Sequence, residues 1–482
     1  MRQASIESPA RSLAPALAAL LLGALVLFDA RALNDGDTYW HIATGDWILD
    51  HARVPHVDVF SNSTAGAPWV AQEWLSEVLM ALARRAAGWA GVVVLFAAAI
   101  AAAAWLIVRR MSLAIGGVTL ALASVLVFAC MGGSLLARPH LLALPVLLVW
   151  TLSLMSAREK NRAPPIVLAL LMLVWANLHG GFVLGFAVAA AFGLEALLEA
   201  RQDRGKVVRD WGLFGAASLL AALVTPHGLT GLIYPFQVMT MTSLPGITEW
   251  RAADFAKPTA FEAALLITLF VCLWRGVRVP ILRLLLLLGL LHLALQHSRH
   301  QLVLAALAPL ILAEPLAVAL GHAPARARLN PGLLAASAAA AIGLLAVRLA
   351  LPVVRVDGLN SPVAAVASLP PQLLRQPVLN EYGFGGYLIF QGARPFIDGR
   401  SDMYGDAFTG RYFAAETAGQ ADLDRFLDRH GVAWTIFAPS NPIVATLDGD
   451  RGWRRIHTDA TAVVHQRVAP IYTVKVRPTS PG

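Results

Sequence analysis

The sequence predicts a polytopic α-helical membrane protein followed by a C-terminal α/β or α+β domain outside the bilayer. Three observations lead there. Hydrophobic residues make up 57% of the 482 and charged residues only 14%, with a mean hydropathy of +0.63, against roughly 25% charged in an ordinary soluble domain. Apolar runs of the roughly 20 residues that a bilayer demands recur down the chain as far as Leu351. From Pro352 on they give way to short apolar runs separated by turns.

The runs place spans near 12–30, 89–108, 112–131, 139–156, 164–177, 181–199, 211–225, 259–274, 279–296, 300–320 and 331–351, about eleven in all. With Arg2 and Arg11 inside, alternation puts every basic cluster on the cytoplasmic face: RR at 109–110, REKNR at 158–162, RQDRGKVVR at 201–209, RGVR at 275–278 and RARL at 326–329. The net charge of +8 therefore reports membrane topology and argues against a nucleic-acid partner. Ala30-Arg31-Ala32 has the small-x-small form of a signal-peptidase site. The run before it is long for a signal peptide and arginine suits the site poorly, so it is read as a retained span. Cys130 and Cys272 both fall within spans, leaving no disulfide or cysteine metal site for the outer domain.

The first outer loop, 31–88, carries two amphipathic segments. Thr38 to Asp50 sets Trp40, Ala43 and Trp47 at three and four spacing, as an interfacial aromatic face would. Trp69 to Gly88 is periodic too, but Arg84 and Arg85 would cost roughly 2.5–3.5 kcal/mol each at the bilayer centre, so a surface helix is expected. The stretch between them is rich in Pro, Gly, Ser and Asn, as irregular backbone is. These readings divide the chain into a transmembrane domain, 1–351, and an outer domain, 352–482. In the latter, PVLNEYGFGGYLIF, RPFIDGR, AWTIFAPS and TAVVHQR read as strands and ADLDRFLDRHGV as a helix.

Topology gathers scattered polar residues at one depth: Asp35, Asp37 and His41; Glu73; Arg138 and His140; Asn177 and His179; His227; Glu249, Arg251 and Asp254; His297, Arg299 and His300. Ionisable groups at membrane depth are costly unless they face a wet cavity or each other, so such a set marks a functional site. For single members plainer readings stand beside it: snorkelling for His140 or His300, helix capping for His179 and His227. Asp35-Gly36-Asp37 is the sharpest element. In extended backbone its two carboxylates point the same way and can divide labour, one as general base and one holding a metal ion or an orienting charge. The competing reading makes Asp37 a helix N-cap with His41 one turn on.

The stretch DGDTYWHIATGDWILDHARVPHVDVFSNSTAGAPWVAQEWL resembles the first outer loop of the GT-C class of membrane glycosyltransferases, in particular bacterial members related to dolichyl-phosphate-mannose and aminoarabinose transferases. Asp35, Asp37, Tyr39, Gly45, Asp46, Trp47, Pro55, Pro68 and Gly88 carry the resemblance. NEYGFGGYLIF and FIDGRSDMYG resemble the outer domain of bacterial membrane proteins grouped with that class. The resemblance implies a GT-C-like fold in a bacterial inner membrane, with the N-terminus cytoplasmic and the C-terminal domain periplasmic. It also implies a polyprenyl-phosphate sugar donor, a lipid, glycan or protein acceptor, and an inverting displacement. Asp37, or Asp35, becomes the catalytic base. Arg138, His179, Arg299 and His300 become phosphate partners, and His41, Glu73, His140, Asn177, His227 and Glu249 complete the substrate-binding set. A divalent cation, Mg or Mn on Asp35 and Asp37, stays open.

Two departures limit the match. GAPWVAQEW replaces the Lys-Pro-Pro element of aminoarabinose-type members, and the WWD-type signature of oligosaccharyltransferases is missing. Two rival classes remain: a transporter or flippase of lipid-linked intermediates, which should show paired broken helices in related halves, and a non-catalytic assembly protein. In the outer domain, Asp398, Arg400, Asp402 and Tyr404 form a polar turn. It either meets an acceptor and completes the site or is held by an internal Asp-Arg pair.

Overall fold

The structure, a computed structural model, describes residues 9–244, 247–322 and 331–468. Arg2 and the basic cluster at 326–329 lie outside them. The chain forms two compact units. The first comprises Met1–Leu33, Gln72–Thr240 and Leu244–Val353, and the second Asn34–Ala71, Met241–Ser243 and Val354–Gly482.

The first unit is helical. Each expected span coincides with a helix, from Pro9–Phe28 to Pro331–Ala350. Among the described residues, six segments are long and apolar enough to cross a membrane: Trp74–Ala114, Gly117–Ser134, Pro139–Glu159, Gly180–Glu199, Ser298–Ala319 and Pro331–Ala350. Leu13–Phe28, Ile166–Leu178 and Ile281–Gln296 are shorter apolar helices. Their outward faces expose Leu122, Val125, Leu170 and Leu285, the all-round apolarity of helices that meet lipid. The protein is thus a multi-pass membrane protein. Trp74–Ala114 is broken at Ala87 and Gly88, where Gly88 takes a φ of 59°, a left-handed angle that glycine adopts without strain. The polar segment ahead of the break and the apolar one after it are therefore two helices, as their compositions demand. Arg158 and Arg110 of the topology clusters, and Arg283 outside them, also tie helices together. Arg158 bonds Glu195 and Glu199, Arg283 bonds Glu195 at 2.8 Å, and Arg110 reaches Glu159 at 3.0 Å and Glu314 at 3.3 Å.

The second unit is built on a four-stranded mixed sheet: β1 Val378–Asn380, β2 Trp434–Phe437, β3 Trp453–Thr458 and β4 Val463–Arg467, in the order β1-β2-β4-β3. β1 pairs parallel with β2, and the other pairs are antiparallel. Helices Ser401–Glu416 and Gln420–Arg429 accompany it, and Leu379, Ile397, Tyr412, Leu427, Phe437 and Val463 contribute to the core.

Three expectations are corrected here. GYLIF is no strand: Gly385–Phe390 is a short helix whose residues Gly385 to Ile389 are buried in succession rather than alternately. Gly386 lacks the Cβ that would overlap the carbonyl oxygen of Gly36, so two backbones meet where a strand residue would carry a side chain. RPFIDGR is no strand either, because the Asn380 side chain takes the place of a ladder partner. It accepts from Phe396 N at 2.8 Å and donates to the Ile397 carbonyl at 2.9 Å. Thirdly, Trp40 does not form an interfacial face. It is only 9% exposed and packs with Trp69, Ala71 and Ile389, since burying an indole within the unit removes more apolar surface from water than laying it on one.

Candidate functional site

In the first unit, charged residues from three segments converge. Arg138 is extended (φ −126°, ψ 156°) because Pro139 follows it and opens the helix Pro139–Glu159. Glu249 lies on a short turn, Thr248–Trp250, that, with the residues just after it, is pinned to the end of the helix Ile281–Gln296 and the residues that follow. Ser298 N donates to the Arg251 carbonyl at 3.0 Å, Ala253 N to that of Leu295 at 2.9 Å, and Ser298 Oγ to that of Glu249 at 3.1 Å. His297 Nδ1 lies 2.8 Å from the Trp250 carbonyl. So held, the Glu249 carboxylate is bonded by Arg138 on one oxygen and by Arg299 at 3.4 Å on the other. Arg299 also sits over the Trp250 ring, 4.4 Å from its centroid, a cation–π contact. Burial opposes the charge of Glu249, but the two guanidinia outweigh it and hold its pKa down to about 2.

Histidines surround this group. His140 Nε2 lies 3.1 Å from the Ser134 carbonyl, and its ring is 6.3 Å from that of His179. His179 joins the helices Ala169–Leu178 and Val183–Glu199 in an extended conformation; its Nδ1 accepts from Gly181 N at 2.9 Å while Nε2 faces Glu73 at 3.4 Å. His179 thus caps the start of the short turn Gly180–Phe182 by accepting from a backbone N–H, where the sequence suggested that it would bond the free carbonyls of a helix end. His300 follows on the same turn as Arg299, with its ring 5.7 Å from that of His297. Asn177 accepts from the Trp74 indole at 2.6 Å and donates to the Val224 carbonyl at 2.9 Å. With Trp74, Leu75, Leu173, Val224, Thr225 and Pro226 it lines an open apolar groove of about 420 Å³. His227 stands at the head of helix Gly228–Met239.

The acidic loop belongs to the second unit. Asp35, not Asp37, is the N-cap of helix Gly36–His51: its carboxylate accepts from Asp37 N at 2.8 Å. The two aspartates therefore do not stand side by side on extended backbone, because a cap and a first-turn residue face differently. Asp37 Oδ1 accepts from the Trp40 indole at 3.0 Å, and the carboxylate lies against Gly399. His41 is buried beside Trp40. Among the described residues, no group of three or more His, Cys, Asp or Glu is arranged to hold a metal ion.

The polar turn of the outer domain is held internally. Arg400 grips Asp398 with two bonds, of 2.8 and 2.7 Å, and donates to Asp58 at 2.9 Å; Tyr404 adds a bond to Asp398 at 2.7 Å. Arg400 also lies over Trp69, 4.7 Å from the ring centroid. All three charges have fully buried side chains. Burial opposes the Arg400 charge, yet Asp398 and Asp58 hold its pKa well above the usual range, and Arg400 in turn keeps Asp58 low against its own burial. The sequence reading missed Asp58 in this set and Trp250 in the other. Trp250 stands directly between Glu249 and Arg251 in the sequence, which is a usable signal; Asp58 offered none.

No protein-family model and no curated protein sequence matches the chain. Its three-dimensional structure does find a counterpart, ArnT from Cupriavidus metallidurans, in a crystal structure bound to undecaprenyl phosphate. The match covers 95% of this chain and 98% of that one at a TM-score of 0.51 and 14% sequence identity. The chain has a GT-C-like fold. At that identity the likeness speaks for the ArnT-like fold, while the candidate residues rest on the geometry above.

Proposed function

We propose that the protein is a glycosyltransferase of the bacterial inner membrane. It takes a sugar from a polyprenyl-phosphate carrier and transfers it to a lipid, glycan or protein acceptor on the outer face. The observation that carries this reading is the ArnT-like fold along nearly the whole chain, in a counterpart that holds undecaprenyl phosphate. Arg138 and Arg299 are the phosphate partners, since two guanidinia converging on one carboxylate can do the same for phosphate oxygens. The open apolar groove beside Asn177 suits a prenyl chain. Asp37 is the general base. It takes the proton of an acceptor hydroxyl as that oxygen attacks the anomeric carbon, the bond to the phosphate breaks, and the carrier leaves as a phosphate stabilised by positive charge. A single displacement of this kind inverts the anomeric centre. About eleven spans, a cytoplasmic N-terminus and a periplasmic C-terminal domain complete the proposed topology.

The test is turnover by purified protein in lipid with a panel of radiolabelled polyprenyl-phosphate sugars. The expected result is release or transfer of sugar that is lost in Asp37→Asn. Neither turnover nor saturable donor binding across the panel would overturn the reading, and lipid translocation by the same vesicles would favour a flippase.

A further inference from the structure

The motif glycines of the C-terminal segment have a destination. A Cβ on Gly399 would overlap Asp37 Oδ1 and lie 2.8 Å from Asp37 Cγ and 3.1 Å from the Trp40 indole nitrogen. Gly399 is not among the residues with positive φ, so space, not backbone conformation, demands glycine there. The turn that carries it is immobilised from both sides: Asp398 and Arg400 flank Gly399 and are locked to Asp58 and Tyr404 without exposure to water. Asn380 holds the two residues before the turn. The helix that carries Asp37 meets the same segment, with Gly36 backed by Gly386 and Gly383. We propose that Asp398-Gly399-Arg400 is the seat of the Asp37 carboxylate, so that the C-terminal segment supplies the positioning residues of the proposed general base.

The seat acts by geometry. The Asp37 carboxylate has one oxygen bonded to the Trp40 indole and its body against the Gly399 backbone, which fixes its rotamer and leaves little room for a longer or turned acid. The buried ion network explains how a glycine turn, otherwise soft, can serve as a wall: bonds to charged groups with no water to compete keep it in place. Tyr382 belongs to the same surroundings. Its phenol is pushed well above its usual pKa by burial and then by the Asp37 charge, and so stays protonated beside it. Because the atom that a new methyl would meet is the end of a side chain, Gly399→Ala is expected to turn the Asp37 carboxylate aside and leave the unit folded.

Only the kinetic arm of the test rests on the transferase reading. The protein with 15N-labelled indoles, in lipid nanodiscs, reports the Trp40 Nε1–H resonance directly, assigned through Trp40→Phe. Gly399→Ala is expected to shift that resonance in the sense that Asp37→Asn does. It should lower kcat about 100-fold or more, as misplacement of a catalytic group does, while KM for the donor stays within about threefold. Tyr404→Phe, which removes one bond from the wall and preserves its packing, should move the same resonance less and lower kcat about 3- to 10-fold. If Gly399→Ala fails to fold, the Tyr404→Phe resonance decides. A Trp40 resonance at its wild-type position in the folded variants, or full kcat in Gly399→Ala where Asp37→Asn is inactive, overturns the seat. Absence of turnover in the wild type would overturn the transferase reading while the indole resonance still decides the seat.

Discussion

Two of the protein's arrangements of arginine and carboxylate are alike in chemistry and opposite in setting. In the first unit one carboxylate, Glu249, lies between two arginines, and all three side chains remain 21–32% exposed. In the second, one arginine, Arg400, lies between two carboxylates, and none has any exposure. The buried set is saturated: each Arg400 nitrogen has a carboxylate partner, and Tyr404, Ser61 and backbone N–H groups occupy more of the oxygens. Such a set cannot exchange partners without leaving a buried charge alone, so it fixes structure. The partly exposed set has an excess of positive charge, an aromatic ring under one arginine and histidines around it, and can exchange its carboxylate for another anion more readily than the buried one can. Burial, rather than residue type, separates an anchor from a binding group.

The comparison is broken most forcefully at Arg400. Arg400→Leu strands two buried carboxylates and should cost about 3–5 kcal/mol of stability, read as early loss of the second unit in limited proteolysis and thermal unfolding. Arg138→Leu, which opens a partly exposed pair and leaves Arg299 on Glu249, should move the same unfolding curve by no more than about 1 kcal/mol. A similar loss for both would erase the distinction. Next comes function. Asp37→Asn, on an intact fold, should lower kcat by about 100- to 10,000-fold, the range of a lost general base, measured by single-turnover transfer from a labelled donor. A smaller effect is expected in the second unit at Glu381 and Glu416, which share the Asn441 amide. Burial, and for Glu381 also the charge of Glu416, raises the pKa of both. Folding then binds protons more tightly than the open chain does, so stability is greatest below the ordinary glutamate value of 4.5 and falls as pH rises through the raised values. Glu416→Gln should accordingly raise the thermal midpoint by a few degrees at neutral pH, with the gain fading below 4.5. An equal gain at all pH values would assign the effect to packing instead.

Much of this was legible in the residues because hydrophobicity and charge act locally. Runs such as those at 89–108 and 300–320 became helices where expected, and Gly88 marked the change from a polar helix to an apolar one. Strands β2 and β4 followed from their β-branched and aromatic residues, whereas β3, with WRRIHT, hid behind its charges, as edge strands do. Arg138, His179, Glu249 and Arg299 could be gathered by depth alone, since a membrane converts sequence position into height. What could not be read was pairing across long separations. That Asp58 meets Arg400, or that Gly399 and Gly386 back onto Asp37 and Gly36, depends on how irregular loops close. The same blindness made GYLIF a strand, because apolar content in a glycine-rich stretch says nothing of the backbone packed against it.

The contrast between an exposed binding set and a buried anchoring set is tested most directly by titrating the protein in nanodiscs with undecaprenyl phosphate and comparing wild type with Arg138→Ala and Arg299→Ala. Saturable binding that weakens about 10-fold or more in each variant, with unfolding unchanged, is the predicted result, in line with about 1.5–3 kcal/mol for bonds to a charged partner. Equal affinity in all three proteins would contradict the account.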